Sequence, residues 1–205
     1  MHHVFLIGDS IRMGYCNAVR DILQGIATVD FPGENCRFST YTLCCLGVWA
    51  EQLTEAIAEQ IDLVFWNNGL WDVCHNAGDP LPLVPPDQYR MTLHRIADRI
   101  RTVFPNAKII FALTTEADET RTKVQNGIPM RTNAEIKLYN SIARGVMEKE
   151  SIPVFDLCSL ATALGNHLKV DWVHFTEEGY QLLAQHIAAH IQHQLDPSTT
   201  NGGEQ

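Results

Sequence analysis

The chain has 205 residues, of which 45% are hydrophobic and 19% charged, and its net charge is −9. That length fits one domain with a sizeable core, and the acidic balance argues against nucleic acid or an anionic membrane surface as the main partner. No apolar run reaches the roughly 18 residues that a membrane-spanning helix needs, and the N-terminus lacks a signal-peptide pattern. We therefore expect a cytoplasmic protein with no membrane span and with reduced cysteines.

Strand and helix patterns alternate along the chain. The predicted strands are His3–Ile7, Cys36–Thr40, Leu63–Asn67, Lys108–Leu113 and Val154–Leu157. Apolar residues at helical spacing mark five helices, around Ala18–Leu23, Trp49–Ile61, Tyr89–Ile100, Ile136–Val146 and Tyr180–Ile187. This alternation predicts an α/β fold, a three-layer α/β/α sandwich around a five-stranded parallel sheet, most commonly in the flavodoxin-like order 2-1-3-4-5. A single domain is expected over residues 1–195, followed by a disordered tail over residues 196–205.

Two long connections interrupt this alternation, Val73–Pro86 and Thr115–Thr132. The first is rich in proline and the second is polar. Connections of this length in a compact domain often form lids or the walls of a cleft. Because ligands collect at the carboxyl ends of parallel strands, we expect both connections to border a functional site.

The first strand runs into Gly8-Asp9-Ser10, which raises a serine on a turn framed by glycines. A serine hydroxyl is a weak nucleophile that needs an adjacent base and backbone N–H groups free to bind an oxyanion. Gly8 and Gly14 permit a tight turn, and the helix that follows would aim its first amides at the same place. The same tripeptide also fits an ordinary strand-to-helix turn, in which Asp9 or Ser10 serves only as a cap.

A second chemical signal, Asp171-Trp172-Val173-His174, lies near the other end of the chain. The spacing lets the carboxylate of Asp171 reach Nδ1 of His174, so that Nε2 is left to face a serine. In that arrangement His174 would be the general base and Asp171 would fix its tautomer. An exposed loop that contains an Asp and a His by chance is the alternative.

Taken together and in order, four segments resemble the motif blocks of the GDSL esterases, also called SGNH hydrolases. They are Gly8-Asp9-Ser10-Ile11, Gly47, Gly69-Leu70-Trp71-Asp72 and Asp171-Trp172-Val173-His174. The resemblance implies a flavodoxin-like fold, no metal and no cofactor, and hydrolysis of an ester through an acyl-serine intermediate. It also implies an oxyanion hole that includes the backbone N–H groups of Ser10 and Gly47.

One position departs from the family pattern, because Trp71 stands where an asparagine would donate from its side chain to the oxyanion hole. Strand alternation would place Asn67 on the same face as Trp71, so Asn67 is our candidate for the missing donor. Asn68 is a second polar candidate in the same segment, and Trp71 itself would shape the substrate pocket. A buried amide that only satisfies backbone groups is the alternative for Asn67.

The remaining candidates are less specific. Arg12 follows the nucleophile closely and would line the cleft, unless it is a surface arginine at the start of a helix. Arg131 ends the second long connection and is a candidate for substrate contact. Three histidines, His186, His190 and His193, share a helix face, but no carboxylate or cysteine completes a metal site, so a helix surface is favoured.

The favoured hypothesis is therefore a serine esterase that acts on a small-molecule or carbohydrate ester, with a short acyl group such as acetyl. Lysophospholipase, thioesterase or acyltransferase activity would use the same residues. A flavodoxin-like binding module without catalysis is the alternative from another class, and the distance from Ser10 Oγ to His174 Nε2 discriminates it from an enzyme. A nucleotide-binding enzyme is a poorer fit, because the first strand lacks a G-x-G-x-x-G motif. The sequence leaves the oligomeric state open.

Overall fold

A computed structural model describes residues 1–54, 56–77 and 79–196 of the chain. Gly78, within the first long connection, lies outside the described residues. So do residues 197–205, which make up nearly all of the predicted tail. In the described part, no helix is both long enough and apolar enough to cross a bilayer.

A five-stranded sheet forms the centre of the molecule. Numbered along the described chain, the strands of this sheet and of a small separate hairpin are β1 (His2–Ile7), β2 (Ala27–Asp30), β3 (Leu63–Trp66), β4 (Lys108–Ala112), β5 (Val124–Gln125), β6 (Ile128–Pro129) and β7 (Val154–Phe155). Strands β5 and β6 pair as a separate antiparallel hairpin, and the other five form a parallel sheet in the order β2-β1-β3-β4-β7. Counted among the strands of the large sheet, this is the predicted order 2-1-3-4-5, which is confirmed. Strand β1 lies between β2 and β3, so Ser10 follows an inner strand.

Helices cover the sheet and complete the sandwich. They are α1 (Ser10–Ile22), α2 (Ser39–Glu51), α3 (Pro86–Val103), α4 (Asn133–Lys149), α5 (Leu157–Leu164) and α6 (Glu177–Leu195). Helix α1 packs on α6, while α2 packs on α3 and α3 on α4. The apolar residues that predicted α3 and α4, such as Tyr89, Ile96, Ile136 and Val146, are fully buried. The amphipathic pattern therefore located these helices because their buried faces supply the core.

The second strand was predicted in the wrong place. Residues Cys36–Thr40 do not form a strand; α2 begins at Ser39, and β2 is the short segment Ala27–Asp30, which pairs with β1. The helix that was predicted from Trp49 onward begins ten residues earlier and ends at Glu51. Cys44 and Cys45 therefore lie on this helix. The pattern misleads because α2 is apolar almost throughout and lacks both a side-chain cap and an acidic first turn.

Gly14 lies where α1 meets α6. A Cβ atom built on Gly14 would come within 2.1 Å of Cζ of Tyr180, so the ring of Tyr180 packs directly on the glycine. Helix α1 begins with Ser10, and α6 begins three residues after His174. The glycine therefore sets how closely the two helices approach, and with it the separation of the two candidate catalytic side chains.

We expect Gly14→Ala to lower the free energy of unfolding by about 1–3 kcal/mol, because the added methyl group overpacks the interface between the two helices. Urea denaturation measures this change. Gly145→Ala on α4 is the matched control, since a Cβ atom there meets no atom of the described residues within 4 Å. Alanine is the better helix former, so the control should keep or gain stability. Equal effects of the two substitutions would contradict the proposed role of Gly14.

Candidate active site

Ser10 is held at the carboxyl end of β1 by the turn before it. A Cβ atom on Gly8 would lie 2.7 Å from Cβ of Arg12, so this position has no room for a side chain. Asp9 is the N-cap of α1, and its Oδ1 accepts a hydrogen bond from the N–H of Ile11 at 2.9 Å. The helix therefore begins at Ser10, with the hydroxyl group half-buried at its first turn.

The Asp171–His174 turn is organised by its own aspartate. Oδ1 of Asp171 accepts hydrogen bonds from the N–H groups of Val173 and His174, at 2.8 and 2.7 Å. Oδ2 is 2.7 Å from Nδ1 of His174. Thr176 then caps α6 by accepting a hydrogen bond from the N–H of Gly179. One short turn therefore fixes both the backbone and the imidazole ring.

The two ends of the chain meet at these residues. Nε2 of His174 lies 2.8 Å from Oγ of Ser10, across 164 residues of sequence. Because a neutral imidazole that donates from Nδ1 to a carboxylate is left with Nε2 as an acceptor, this geometry lets His174 accept the serine proton. The three side chains thus form one continuous hydrogen-bonded chain in the order serine, histidine, aspartate.

The two aspartates beside this chain are in opposite electrostatic situations. Partial burial alone would raise the pKa of Asp171, but the hydrogen bonds from His174 and Val173 outweigh it and hold the pKa below its usual value. Asp9 is fully buried, which raises its pKa against the lowering effects of the Ile11 N–H and of Arg131 and Arg12. Asp171 is therefore the carboxylate suited to stabilise an imidazolium, while Asp9 shapes the turn.

Gly47 does not contribute to an oxyanion hole. It lies in the interior of α2, where an added Cβ atom would come within 3.0 Å of Nη2 of Arg99 on α3. An amide in the middle of a helix is bonded to the carbonyl four residues earlier and cannot bind substrate. The prediction for Gly47 is therefore wrong.

The start of α2 offers a different backbone donor. Cys36 donates to the carbonyl of Gly8 at 3.1 Å, which brings this end of α2 beside the serine turn. Tyr41 and Thr42 both donate to the carbonyl of Phe38, so their amides are occupied. The amide of Thr40 belongs to the first turn, where helix N–H groups have no partner within the helix. No sequence pattern identified Thr40, because the start of α2 was itself missed.

Both asparagines after β3 form hydrogen bonds within the protein. The side-chain nitrogen of Asn67 donates to the carbonyl of Ala112 at 2.7 Å, across the ends of β3 and β4. Asn68 is fully buried; its Oδ1 accepts from the indole of Trp66, and its nitrogen donates to the carbonyl of Arg37 and to Thr42. The predicted role of Asn68 in substrate binding is thus not supported, because its amide holds the sheet end together. Asn67 uses one of the two N–H groups of its amide, so its role in the oxyanion hole stays a prediction. Trp71 is half-buried and remains a candidate for the pocket.

The two arginines predicted to touch substrate differ in their surroundings. Arg12 is 2% exposed and donates to the carbonyls of Gly8, Pro32 and Glu34, so it fixes the loop after β2 and does not line a cleft. That prediction is wrong because the helix start is covered by this loop. Arg131 is also buried, but its Nε donates to the carbonyl of Leu70 and its guanidinium lies 4.9 Å from the ring of Trp172. It therefore connects the segment after β3 to the turn that carries His174.

The two long connections contact each other beside the site. The N–H of His75 donates to the carbonyl of Met130 at 2.8 Å, and Nε2 of His75 lies 2.7 Å from Oε1 of Glu135. The second connection contains the β5–β6 hairpin, which the sequence did not predict. In the part of the chain that is described, no three His, Cys, Asp or Glu side chains are grouped so as to hold a metal ion.

Asp72 joins the segment after β3 to the start of α2. Its Oδ1 accepts a hydrogen bond from the N–H of Ser39 at 2.8 Å, while its Oδ2 is buried and has no hydrogen-bond partner among the residues that the structure describes. Burial raises the pKa of Asp72 to about 7, although the hydrogen bonding with Ser39 lowers it. Because the ordinary pKa of an aspartate is about 3.9, this raised value makes the charged form costly in the folded protein.

The sign of the resulting pH dependence follows directly. Asp72 adds no penalty below about pH 4, where it is protonated in both the folded and the unfolded chain, and the penalty grows as the pH rises towards 7. Asp72→Asn keeps an oxygen for the Ser39 N–H but cannot ionise. The variant should therefore gain stability relative to wild type between pH 4 and 7, with a constant difference above that range. Urea titrations at several pH values measure this, and parallel stability curves would refute it.

Comparisons with known proteins identify the family of the chain and support its fold. The sequence matches the GDSL-like Lipase/Acylhydrolase family over residues 6–182. Among curated protein sequences, no match is found. A lipase/acylhydrolase from Enterococcus faecalis superposes with a TM-score of 0.72 at 23% identity, covering 95% of this chain and 97% of the other. The acetyl xylan esterase AlAXEase gives 0.71 at 18% identity, covering 92% and 99%. An arylesterase structure from Agrobacterium tumefaciens gives 0.68 at 16% identity, covering 94% and 99%. At these identities the solved structures establish the fold.

Proposed function

The chain belongs to the GDSL-like lipase/acylhydrolase family. We propose that it is a serine ester hydrolase that removes a small acyl group from a carbohydrate, and acetyl is the acyl group that we favour. The observation that carries this proposal is the hydrogen-bonded chain from Ser10 through His174 to Asp171, with distances of 2.8 and 2.7 Å. These are the lengths at which a base can remove a hydroxyl proton.

In the proposed reaction, Oγ of Ser10 forms a bond to the ester carbonyl carbon while its proton passes to Nε2 of His174. The carbonyl π electrons move onto the oxygen and return when the alcohol leaves, with the His174 proton transferred to the leaving oxygen. Water then repeats the sequence on the acyl-serine and releases the acid. Asp171 holds the ring and stabilises the imidazolium in both halves.

We place the oxyanion between the backbone amides of Ser10 and Thr40. Both belong to the first turns of helices, where amides lack intrahelical partners and the helix dipole favours negative charge. The hydrogen bond from Cys36 to Gly8 supports their proximity, because it joins the two turns. Donors that are fixed before the reaction stabilise the charge that develops on the carbonyl oxygen.

The exposure of the site to solvent supports a substrate ester whose alcohol part is large. The His174 side chain is 38% exposed and that of Asp171 is 43% exposed, so the reacting groups lie at the surface and not at the end of a tunnel. A sugar or oligosaccharide can approach such a surface, whereas a long acyl chain needs apolar walls to bury it. The AlAXEase structure is named an acetyl xylan esterase, which makes acetylated xylo-oligosaccharides a reasonable first substrate.

The test is a substrate panel of acetylated sugars, lysophospholipids and acyl thioesters, each assayed with wild type and with Ser10→Ala. We expect release of acetate from at least one acetylated sugar, and no release by the variant. Preference for the lipid or the thioester would change the assigned substrate and keep the mechanism. Faster transfer to an added alcohol than to water would identify an acyltransferase. Absence of Ser10-dependent activity on every ester would favour a non-catalytic binding module.

A further inference from the structure

The donor that is missing at Trp71 raises the question of which side chain replaces it. Asn68 is committed to Trp66, Arg37 and Thr42, and Asn67 gives one of its two side-chain N–H groups to Ala112. A further donor would be a polar side chain that reaches the site from another element. Among the buried polar residues that the structure describes, Arg131 contacts both the segment after β3 and the turn that carries His174.

Arg131 approaches from the end of the second long connection. Its Nε donates to the carbonyl of Leu70, the residue immediately before Trp71. Its guanidinium carbon lies 4.9 Å from the centre of the Trp172 ring, and Trp172 is flanked by Asp171 on one side and leads to His174 on the other. The guanidinium therefore lies between the segment that should supply the donor and the turn that supplies the base.

The donors of Arg131 are not used up by these contacts. The residue is only 6% exposed, yet its two terminal nitrogens donate to no group in the described residues. Neither nitrogen is sealed from solvent, in contrast to the enclosed oxygens of Asp9 and Asp72. A cation with a buried stem and two open N–H-bearing nitrogens is positioned to bind an oxygen atom that comes from outside the protein.

Acidic groups near Arg131 stabilise its positive charge without forming an ion pair with it. Arg131 interacts favourably with the carboxylates of Asp9 and Asp171, although neither forms an ion pair with it. These two acids offset part of the cost of burying the guanidinium, although burial still lowers the pKa of Arg131. A guanidinium keeps its charge in proteins and donates more strongly than a neutral amide, so it suits a site where negative charge develops.

We infer that Arg131 is the side-chain donor to the negative oxygen that forms when Ser10 adds to the ester carbonyl, in the place where the family pattern has an asparagine. This inference rests on the proposed function. Its terminal nitrogens bind the oxygen only after the C–O π electrons have moved onto it. Arg131 therefore contributes to kcat more than to substrate affinity.

The experiment compares Arg131→Gln and Arg131→Lys with wild type on an aryl acetate. Arg131→Gln should lower kcat by about 100–1000-fold, the loss typical for one oxyanion donor, and should change KM by only a few fold. The affinity for an alkyl boronic acid, which forms an anionic tetrahedral adduct with the serine, should fall in parallel with kcat/KM. Arg144→Gln on α4 is the matched control, because it removes an equal charge from an exposed ion pair with Asp156. It should leave all three quantities unchanged.

Each outcome decides the inference. Unchanged kcat and boronate affinity in a folded Arg131→Gln would overturn it, and so would a rise in KM with kcat preserved. If the glutamine variant does not fold, Arg131→Lys carries the test. An intermediate loss of both kcat and boronate affinity supports the inference, and wild-type values overturn it. Ser10→Ala separates the two proposals. If this variant hydrolyses the aryl acetate as fast as wild type, the esterase mechanism itself is refuted, whatever the Arg131 variants show.

Discussion

Ser10→Ala should reduce kcat for a short-chain aryl ester by about 10⁴-fold or more, because it removes the atom that forms the acyl intermediate. The fold should be unaffected, since the hydroxyl group has His174 as its hydrogen-bond partner and is only half-buried. Initial rates and thermal unfolding of the purified variant measure the two effects separately. Ser141→Ala, at an exposed position on α4, is the matched control and should retain full activity.

The comparison between the activities of Ser10→Ala and Ser141→Ala tests this prediction. A loss confined to Ser10→Ala identifies the nucleophile, because both variants lose the same atom. Comparable activity of wild type and Ser10→Ala above the uncatalysed rate would show that another residue performs the chemistry.

Asp171→Asn should reduce kcat by about 10³–10⁴-fold without unfolding the protein. An asparagine can keep Oδ1 as the acceptor for the N–H groups of Val173 and His174, so the turn should persist. Its NH₂ group would instead face Nδ1 of His174, now as a donor. The ring would then favour the tautomer with its proton on Nε2, which cannot accept the proton of Ser10.

This effect is measurable from kcat and from the rate of serine labelling by a fluorophosphonate, which both depend on the base. Asp21→Asn, at an exposed position of α1, serves as the control for the loss of one carboxylate. Because the Asp171 side chain is 43% exposed, water has access to His174 and could replace part of the interaction. A loss below tenfold would mean that Asp171 supports the turn and not the chemistry.

The parts of the fold that could be predicted from the sequence are those where local pattern and tertiary packing agree. Beyond the polar residues that open β1 and β4, strands β1, β3 and β4 are buried on both faces and are nearly continuous apolar runs. The Asp171–His174 turn was also predictable, because a short side chain bonds to backbone groups two and three residues ahead. Such interactions involve near neighbours and leave a readable spacing.

The start of α2 could not be predicted, because it depends on a residue far away in the sequence. Its first-turn amide at Ser39 is bonded to Asp72, across 33 residues. No local cap marks the helix, so the pattern favoured a strand there, and the resemblance to the family's motif blocks then pointed to Gly47 as the backbone donor. The polar residues near the nucleophile were misjudged for a related reason. Arg12 and Asn68 bond to backbone carbonyls of the loop after β2, which only the folded chain brings together.

The most direct test of the catalytic assignment is the identification of the residue that a fluorophosphonate modifies. We expect one adduct per chain, located by peptide mass spectrometry on Ser10, with none on Ser10→Ala and slow labelling of His174→Ala. An adduct on a different serine, or labelling of Ser10→Ala at the wild-type rate, would contradict the assignment of Ser10 as the nucleophile activated by His174.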